Sequence, residues 1–221
     1  MLSITHFSDT RGRHDEITNM PISDVLVFSG NMSNVGGHSS AKIFMDWFVS
    51  LPHEYKIIVP GSRDFYFERP EDLWYLKSKG VHFLINDKVE IEGFTFHGFS
   101  YRKKDDNWAY FLPENNYRGQ LKKLTSEVDV FISNTPPKGV LDILGEDSIG
   151  DDVLLETINK FPKIKLALYG GATNSYGWKE ENNKLFVNSC SFTGQNQNIA
   201  HEILLKNKEA IIKEKLILEE S

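Results

Sequence analysis

A single cysteine, Cys190, stands in the whole sequence, so no intrachain disulfide forms and the chain reads as a protein of a reducing compartment, the cytoplasm. No run of roughly 18 apolar residues exists, and the N-terminal MLSITHFSD has neither a basic start nor a long apolar stretch. No membrane association is expected. A basic excess is missing too: 25 Lys and Arg against 31 Asp and Glu leave a formal net charge of −6. A duplex binder held by phosphate contacts shows the opposite balance, so duplex nucleic acid is not an expected partner. No repeat, low-complexity tract or linker composition divides the chain. Its 221 residues, 40% hydrophobic, suffice for one sizeable core, and a single domain over 1–221 is the reading.

What is present is an alternation of short apolar runs with longer helical patterns, which predicts an α/β layered fold. Strands are expected at Ile4–Phe7, Asp24–Ser29, Lys56–Val59, Val128–Ser133 and Lys165–Tyr169, each ending in a small or polar cluster where α/β proteins build their sites. Ser40–Leu51 carries Ile43, Phe44, Trp47, Phe48 and Leu51 at helical spacing, with Ser39 or Ser40 as N-cap. A second helix starts at Pro70-Glu71-Asp72 and ends at Gly80, and a third spans Gly150–Phe161 before Pro162. Val89–Ser100 reads as a hairpin turning at Glu92-Gly93, and Glu202–Leu205 pairs with Ala210–Leu218 across Lys206-Asn207-Lys208. Lys42 and Lys206–Lys208 read as surface.

Five segments follow strand ends: FSDTRGRH, FSGNMSN, PGSRDF, ISNTPPKGVLD and YGGATNSYG. With DWFVSLPHEYKIIVPG at Asp46–Gly61, GFTFHG at Gly93–Gly98 and TPPKGVLD at Thr135–Asp142, their order resembles the calcineurin-like metallophosphoesterases, in particular the small branch of metallophosphoesterase-domain-containing proteins. The resemblance covers nearly the whole chain. It implies a four-layer α/β/β/α sandwich with two packed mixed sheets. It also exposes substitutions at the positions where that family holds its metals. The family's Asp-x-His reads Asp9-Thr10-Arg11, and its bridging Gly-Asp reads Gly30-Asn31. Gly-Asn-His-Asp/Glu reads Gly61-Ser62-Arg63-Asp64, the histidine before the paired prolines is Asn134, and the last Gly-His-x-His is Gly170-Gly171-Ala172-Thr173.

Two divalent ions need anionic and imidazole ligands, and Asp9 is the one retained acid of the metal type. None of the seven histidines, His6, His14, His38, His53, His82, His97 and His201, falls at a ligand position. His14 is either a replacement ligand or acid, or a loop histidine partly open to water. With a carboxylate lost and Arg11 and Arg63 gained, the site reads in one of two ways. Either the arginines bind an anion, since guanidinium presents a donor fork that matches phosphate, or Arg11 pairs with Asp9 and Arg63 with Asp64 and the cage is simply filled.

The expected ligand contacts are Asp9, Arg11, Asn31, Ser62, Arg63, Asn134, Gly171 and Thr173. No catalytic residue and no cofactor is expected, the alternative being one divalent metal, manganese or similar, at Asp9. The leading expectation is a pseudoenzyme that binds a phosphorylated small molecule or nucleotide. A scaffold that meets a protein partner through a patch at Phe65, Tyr66 and Phe67, and a residual phosphodiesterase, are the rivals. Tyr101 to Lys104 and Trp108 form either a ligand-side loop or a solvated one. Tyr176-Gly177-Trp178 either walls the pocket or packs on Phe186 and Phe192. Asn188 and Ser189 support the site through hydrogen bonds. Pro136-Pro137 restricts the approach of Asn134, with a cis bond open as an option.

Overall fold

Runs such as VLVF and LALY have no polar face, so a strand made of them must be covered on both sides. The computed structural model, which describes residues 1–34, 37–68, 73–103 and 107–214, satisfies that demand with two sheets packed face to face and helices outside each. The strands are β1 (Leu2–Phe7), β2 (Val25–Phe28), β3 (Tyr55–Ile58), β4 (Val81–Phe83), β5 (Asn86–Ile91), β6 (Phe94–Phe99) and β7 (Val130–Ser133). They continue with β8 (Ile143–Leu144), β9 (Asp147–Ser148), β10 (Leu166–Tyr169), β11 (Gly177–Glu181), β12 (Lys184–Asn188), β13 (Phe192–Thr193), β14 (Asn196–Gln197), β15 (His201–Lys206) and β16 (Glu209–Ile212). The helices are α1 (His38–Ser50), α2 (Leu73–Ser78), α3 (Glu114–Leu121) and α4 (Asp152–Lys160).

One six-stranded sheet has the order β16-β15-β1-β2-β3-β4 and the other β11-β12-β10-β7-β6-β5. In each, parallel strands occupy the middle and antiparallel pairs the flank, so both sheets are mixed. Ile4, Val27, Ile57, Phe96, Ile132 and Leu168 fill the space between the sheets. Leu26, Phe28 and Ile58 face Phe44, Phe48 and Leu76 of α1 and α2, while Phe131, Ala167 and Phe186 face Tyr117, Leu154 and Ile158 of α3 and α4. These three apolar interfaces separate four layers, the expected α/β/β/α sandwich.

The strand and hairpin expectations hold within a few residues, and the Glu92-Gly93 turn has both residues in the left-handed region, at φ 50° and 79°. Helix α1 is corrected in two respects. Its N-cap is Gly37 with no side-chain cap, and Ile43 is 61% exposed, on the solvent face. The proposed helix start at Pro70-Glu71-Asp72, Lys104, and the strand continuation to Leu218 lie outside the described residues; β16 itself ends at Ile212. Helix α4 begins where Asp151 accepts a hydrogen bond from the Leu154 amide at 2.9 Å. Among the described residues every peptide bond is trans, so Pro136 and Pro137 set the chain direction without a cis bond.

The sheets are stapled together at one end. Beyond β1, the Ser8 amide donates to the Ser189 carbonyl at 2.9 Å and the Ser191 amide to the Ser8 carbonyl at 2.8 Å, which brings the ends of β1 and β12 side by side. The loops after β1, β2, β3, β7 and β10 therefore meet at the seam between the sheets.

Candidate functional site

Asp9 lies at that seam, fully buried, and both of its oxygens are in use. Oδ1 accepts from Asn31 Nδ2 at 2.8 Å and from an Arg11 Nη at 3.4 Å. Oδ2 accepts from Ser8 Oγ at 2.8 Å, from the Gly171 amide at 2.7 Å and from Cys190 Sγ at 3.3 Å. Asp9 thus joins the first sheet to the second. Burial and the neighbouring Asp9 push the Cys190 thiol well above its ordinary pKa, so it acts as a donor here.

Asn31 is the second node. Its Nδ2 also donates to Asn134 Oδ1 at 3.0 Å, and its Oδ1 accepts the Arg63 amide at 3.0 Å. Asn134 in turn donates to the Ser29 carbonyl at 2.8 Å. These contacts fix the orientation of both amide groups, because reversing Asn31 would set oxygen against the Asp9 carboxylate. The loops pack too closely for larger residues. Gly30 has φ 92°, and a Cβ there would meet the Gly61 amide nitrogen at 2.3 Å; a Cβ on Gly61 would meet Asn134 Cγ at 2.6 Å and Asn31 Oδ1 at 2.7 Å. Asp9, Arg11 and Asn31 also carry positive φ, at 53°, 49° and 64°. Left-handed backbone at non-glycine residues costs roughly 1 kcal/mol or more each and gathers at functional sites.

The two arginines behave differently. Arg11 leans on Asp9, yet its Nε is buried with no acceptor. Arg63 does not pair with Asp64. Its Nη1 donates to the Asn34 carbonyl at 2.7 Å, and its guanidinium lies over the Trp108 ring, 4.2 Å from the centroid. Asp64 is fully buried and turned inward, accepting the amides of Asn31 at 2.7 Å, Gly61 at 2.8 Å and Met32 at 2.9 Å. Burial, which outweighs those hydrogen bonds, raises its pKa to about 7, and nearby Asp9 adds to the rise. Arg63 is held below its ordinary pKa by burial and by the charge of Arg11.

Over this floor opens a cleft of about 570 Å³. Of the expected residues, Arg11, Asn31, Ser62, Arg63, Asn134 and Gly171 line it. Asp9 sits behind them. Thr173 is corrected: it does not line the cleft, and its carbonyl accepts from Thr193 Oγ at 2.8 Å. Arg102, Lys103 and Trp108 form one wall, with the Lys103 charge taken up by Asp151 at 3.3 Å and by Asp152. Tyr101 packs instead against Phe99, in the core beside α3. The opposite wall, the β8–β9 hairpin with Leu144, Asp147 and Ser148, is absent from the sequence expectations. A two-residue turn at Gly145-Glu146 is its only sequence signal.

Several other expectations change. His14 is buried against Phe44 and Trp47, not a loop histidine open to water. Tyr176 stacks on His201 at 4.5 Å and Trp178 packs between the sheets, so neither walls the cleft nor meets Phe186, which faces the opposite side of its sheet. Phe67 is 1% exposed, so the expected patch with Phe65 and Tyr66 is largely core. Asn188 does support the site, donating to the Ala172 carbonyl at 2.8 Å and the Leu141 carbonyl at 3.1 Å. Ser189 Oγ links His6 Nδ1 at 2.7 Å to His201 Nδ1 at 2.8 Å beneath it.

Two facing mixed sheets with a site built from five strand-end loops at their seam define a metallophosphoesterase-like protein, and the chain belongs among these. No protein-family profile matches it. It is similar to human metallophosphoesterase domain-containing protein 1, 27% identical over 224 residues that span 90% of this chain and 68% of that one. A UPF0046 protein of Caenorhabditis elegans is 27% identical over 210 residues, covering 89% of this chain and 72% of its own. In three dimensions the chain is similar to TT1561 of Thermus thermophilus, with a TM-score of 0.67 over 96% of this chain and 97% of that one at 16% identity.

Proposed function

We propose that this chain binds a phosphorylated small molecule, a nucleotide being the best fit in size, in the cleft above Asp9, and does so without two-metal hydrolysis. The observation that carries the reading is the pair of guanidiniums at the cleft floor: Arg11 has a buried Nε with no acceptor, and Arg63 lies beside it with no carboxylate partner among the described residues. A buried N–H without an acceptor is costly, and a phosphoryl oxygen would satisfy it. The donor set does not suit the two divalent cations that the fold family implies. Both Asp9 oxygens are already engaged, Asp64 is spent on backbone amides, and among the described residues no three His, Cys, Asp or Glu side chains gather to hold an ion. About 570 Å³ is within the range of small-molecule sites, and an indole in one wall suits a planar base.

Calorimetric titration of a nucleotide panel with a chelator present tests the reading. Binding should be detectable, and Arg11→Ala should weaken it by about tenfold to a hundredfold, the usual worth of a charge-assisted hydrogen bond. Absence of binding to every phosphorylated compound, or unchanged affinity in Arg11→Ala, refutes it.

A further inference from the structure

Around the cleft, Arg11 is paired with Asp9 and Lys103 with Asp151 and Asp152, but the ion pairs of the described residues include none for Arg63. Drawing a guanidinium partly out of water, next to a second one, is unfavourable unless something else holds it. Here the holder is aromatic. The Arg63 guanidinium carbon lies 4.2 Å from the centre of the Trp108 ring, and on that ring packs Phe65, 6.0 Å away at 32°. The tryptophan is itself fixed to the arginine's own turn, because the Ala109 amide donates to the Ser62 carbonyl at 2.8 Å. Asn107 and Tyr110, on either side, both adopt φ 61°, so the short segment that presents Trp108 is bent by two left-handed residues. A tryptophan needed only for apolar burial requires none of these ties. Trp108 instead lines the cleft.

We propose that Trp108 is a positioning residue of the anion site: its ring face holds Arg63 in place without neutralising it, so that the charge stays available for a phosphoryl group. A carboxylate in that place would hold the arginine equally well and cancel its charge. The aromatic face offsets desolvation through its quadrupole and leaves the N–H edge for a ligand. The inference rests on the anion-binding reading above.

The test is a double-mutant cycle, titrating inorganic phosphate and adenosine monophosphate with chelator present. Trp108→Leu should weaken phosphate binding by about five- to twentyfold. Trp108→Phe should restore most of that loss, and Trp108→Leu should have no further effect once Arg63→Ala is in place. Equal weakening with and without the Arg63 guanidinium, or no weakening, overturns the proposal. The hold itself is read in the ligand-free protein, where the Arg63 Nε–H resonance should be shifted by the indole ring current and lose that shift in Trp108→Leu. An unshifted wild-type resonance overturns the positioning role whatever the binding data. A shifted resonance with no phosphate binding sinks the anion reading, and with it the purpose assigned to Trp108.

Discussion

Replacing Asn31 by aspartate changes one NH2 group for an oxygen and tests the whole charge logic of the floor. Asn31 is 2% exposed and its Nδ2 serves two acceptors, Asp9 Oδ1 at 2.8 Å and Asn134 Oδ1 at 3.0 Å. In Asn31→Asp both hydrogen bonds vanish and two buried oxygens face a third, at roughly 1–3 kcal/mol for each group left unpaired. Two carboxylates about 4 Å apart repel by about 4 kcal/mol at an effective dielectric near 20, an upper bound because the pair relieves itself by taking a proton. The expected destabilisation is therefore about 4 kcal/mol at pH 8. Its pH dependence has a definite sign. The paired carboxyls have a raised pKa in the folded variant, so the fold binds more protons than the unfolded chain and the deficit shrinks as pH falls. Urea unfolding of wild type and variant at pH 8 and pH 5, followed by tryptophan fluorescence and compared at each pH, measures it. A deficit under about 1 kcal/mol at pH 8, or one equally large at pH 5, would refute the hydrogen-bond assignment and the buried pairing.

The wild-type fold should also be acid-sensitive through its histidines: burial lowers His97 and His201 from 6.5 to about 4, so each stays neutral when folded and takes up a proton on unfolding. Stability is then complete above about pH 6.5 and falls as pH drops toward about 4, by up to roughly 3 kcal/mol per histidine; equal unfolding free energies at pH 7 and pH 5 would contradict this. Gly61→Ala should both weaken phosphate binding and destabilise by about 1–3 kcal/mol, since the added methyl lands on Asn134 and Asn31; a variant that melts and titrates like wild type would show that the floor yields.

The layers were legible because burial on both faces is written into the strands. VLVF, VFIS and LALY have no solvent face to offer, and the apolar stripe of α1 contains Phe44 and Phe48, both fully buried. Helix α3 was not legible: ENNYRGQL mixes two asparagines and a glycine into eight residues and buries only Tyr117 and Leu121, so neither propensity nor period marks it. The floor residues could be found from the strand-end segments, because each follows a strand that the pattern identifies. Their side-chain directions could not. Arg63 and Asp64 are adjacent and opposite in charge, which suggests a pair, but the turn sends Asp64 into three backbone amides and Arg63 out over Trp108. The β8–β9 wall was hidden for a different reason. Strands of two residues each carry no period to detect.

The persistence of Asp9 takes a different meaning from its contacts. In a cage for cations an acid of this type would keep its oxygens free for ions, whereas here five donors from four chain segments converge on it, two of them, Gly171 and Cys190, from the second sheet. That load explains why the acid stands while histidines and a bridging carboxylate are absent around it: its loss would open the seam between the sheets. The remaining charge then has to be counted without it. Asp9 offsets one guanidinium. Asp64, raised to about 7, is only partly ionised at neutral pH, so it cannot fully offset the other. A floor with two arginines, one fully engaged acid and one half-titrated acid holds a positive remainder, sealed beneath a cleft. Such a remainder in a partly desolvated place is stable only if something negative visits it, which is the physical case for an anion as the resident of this site.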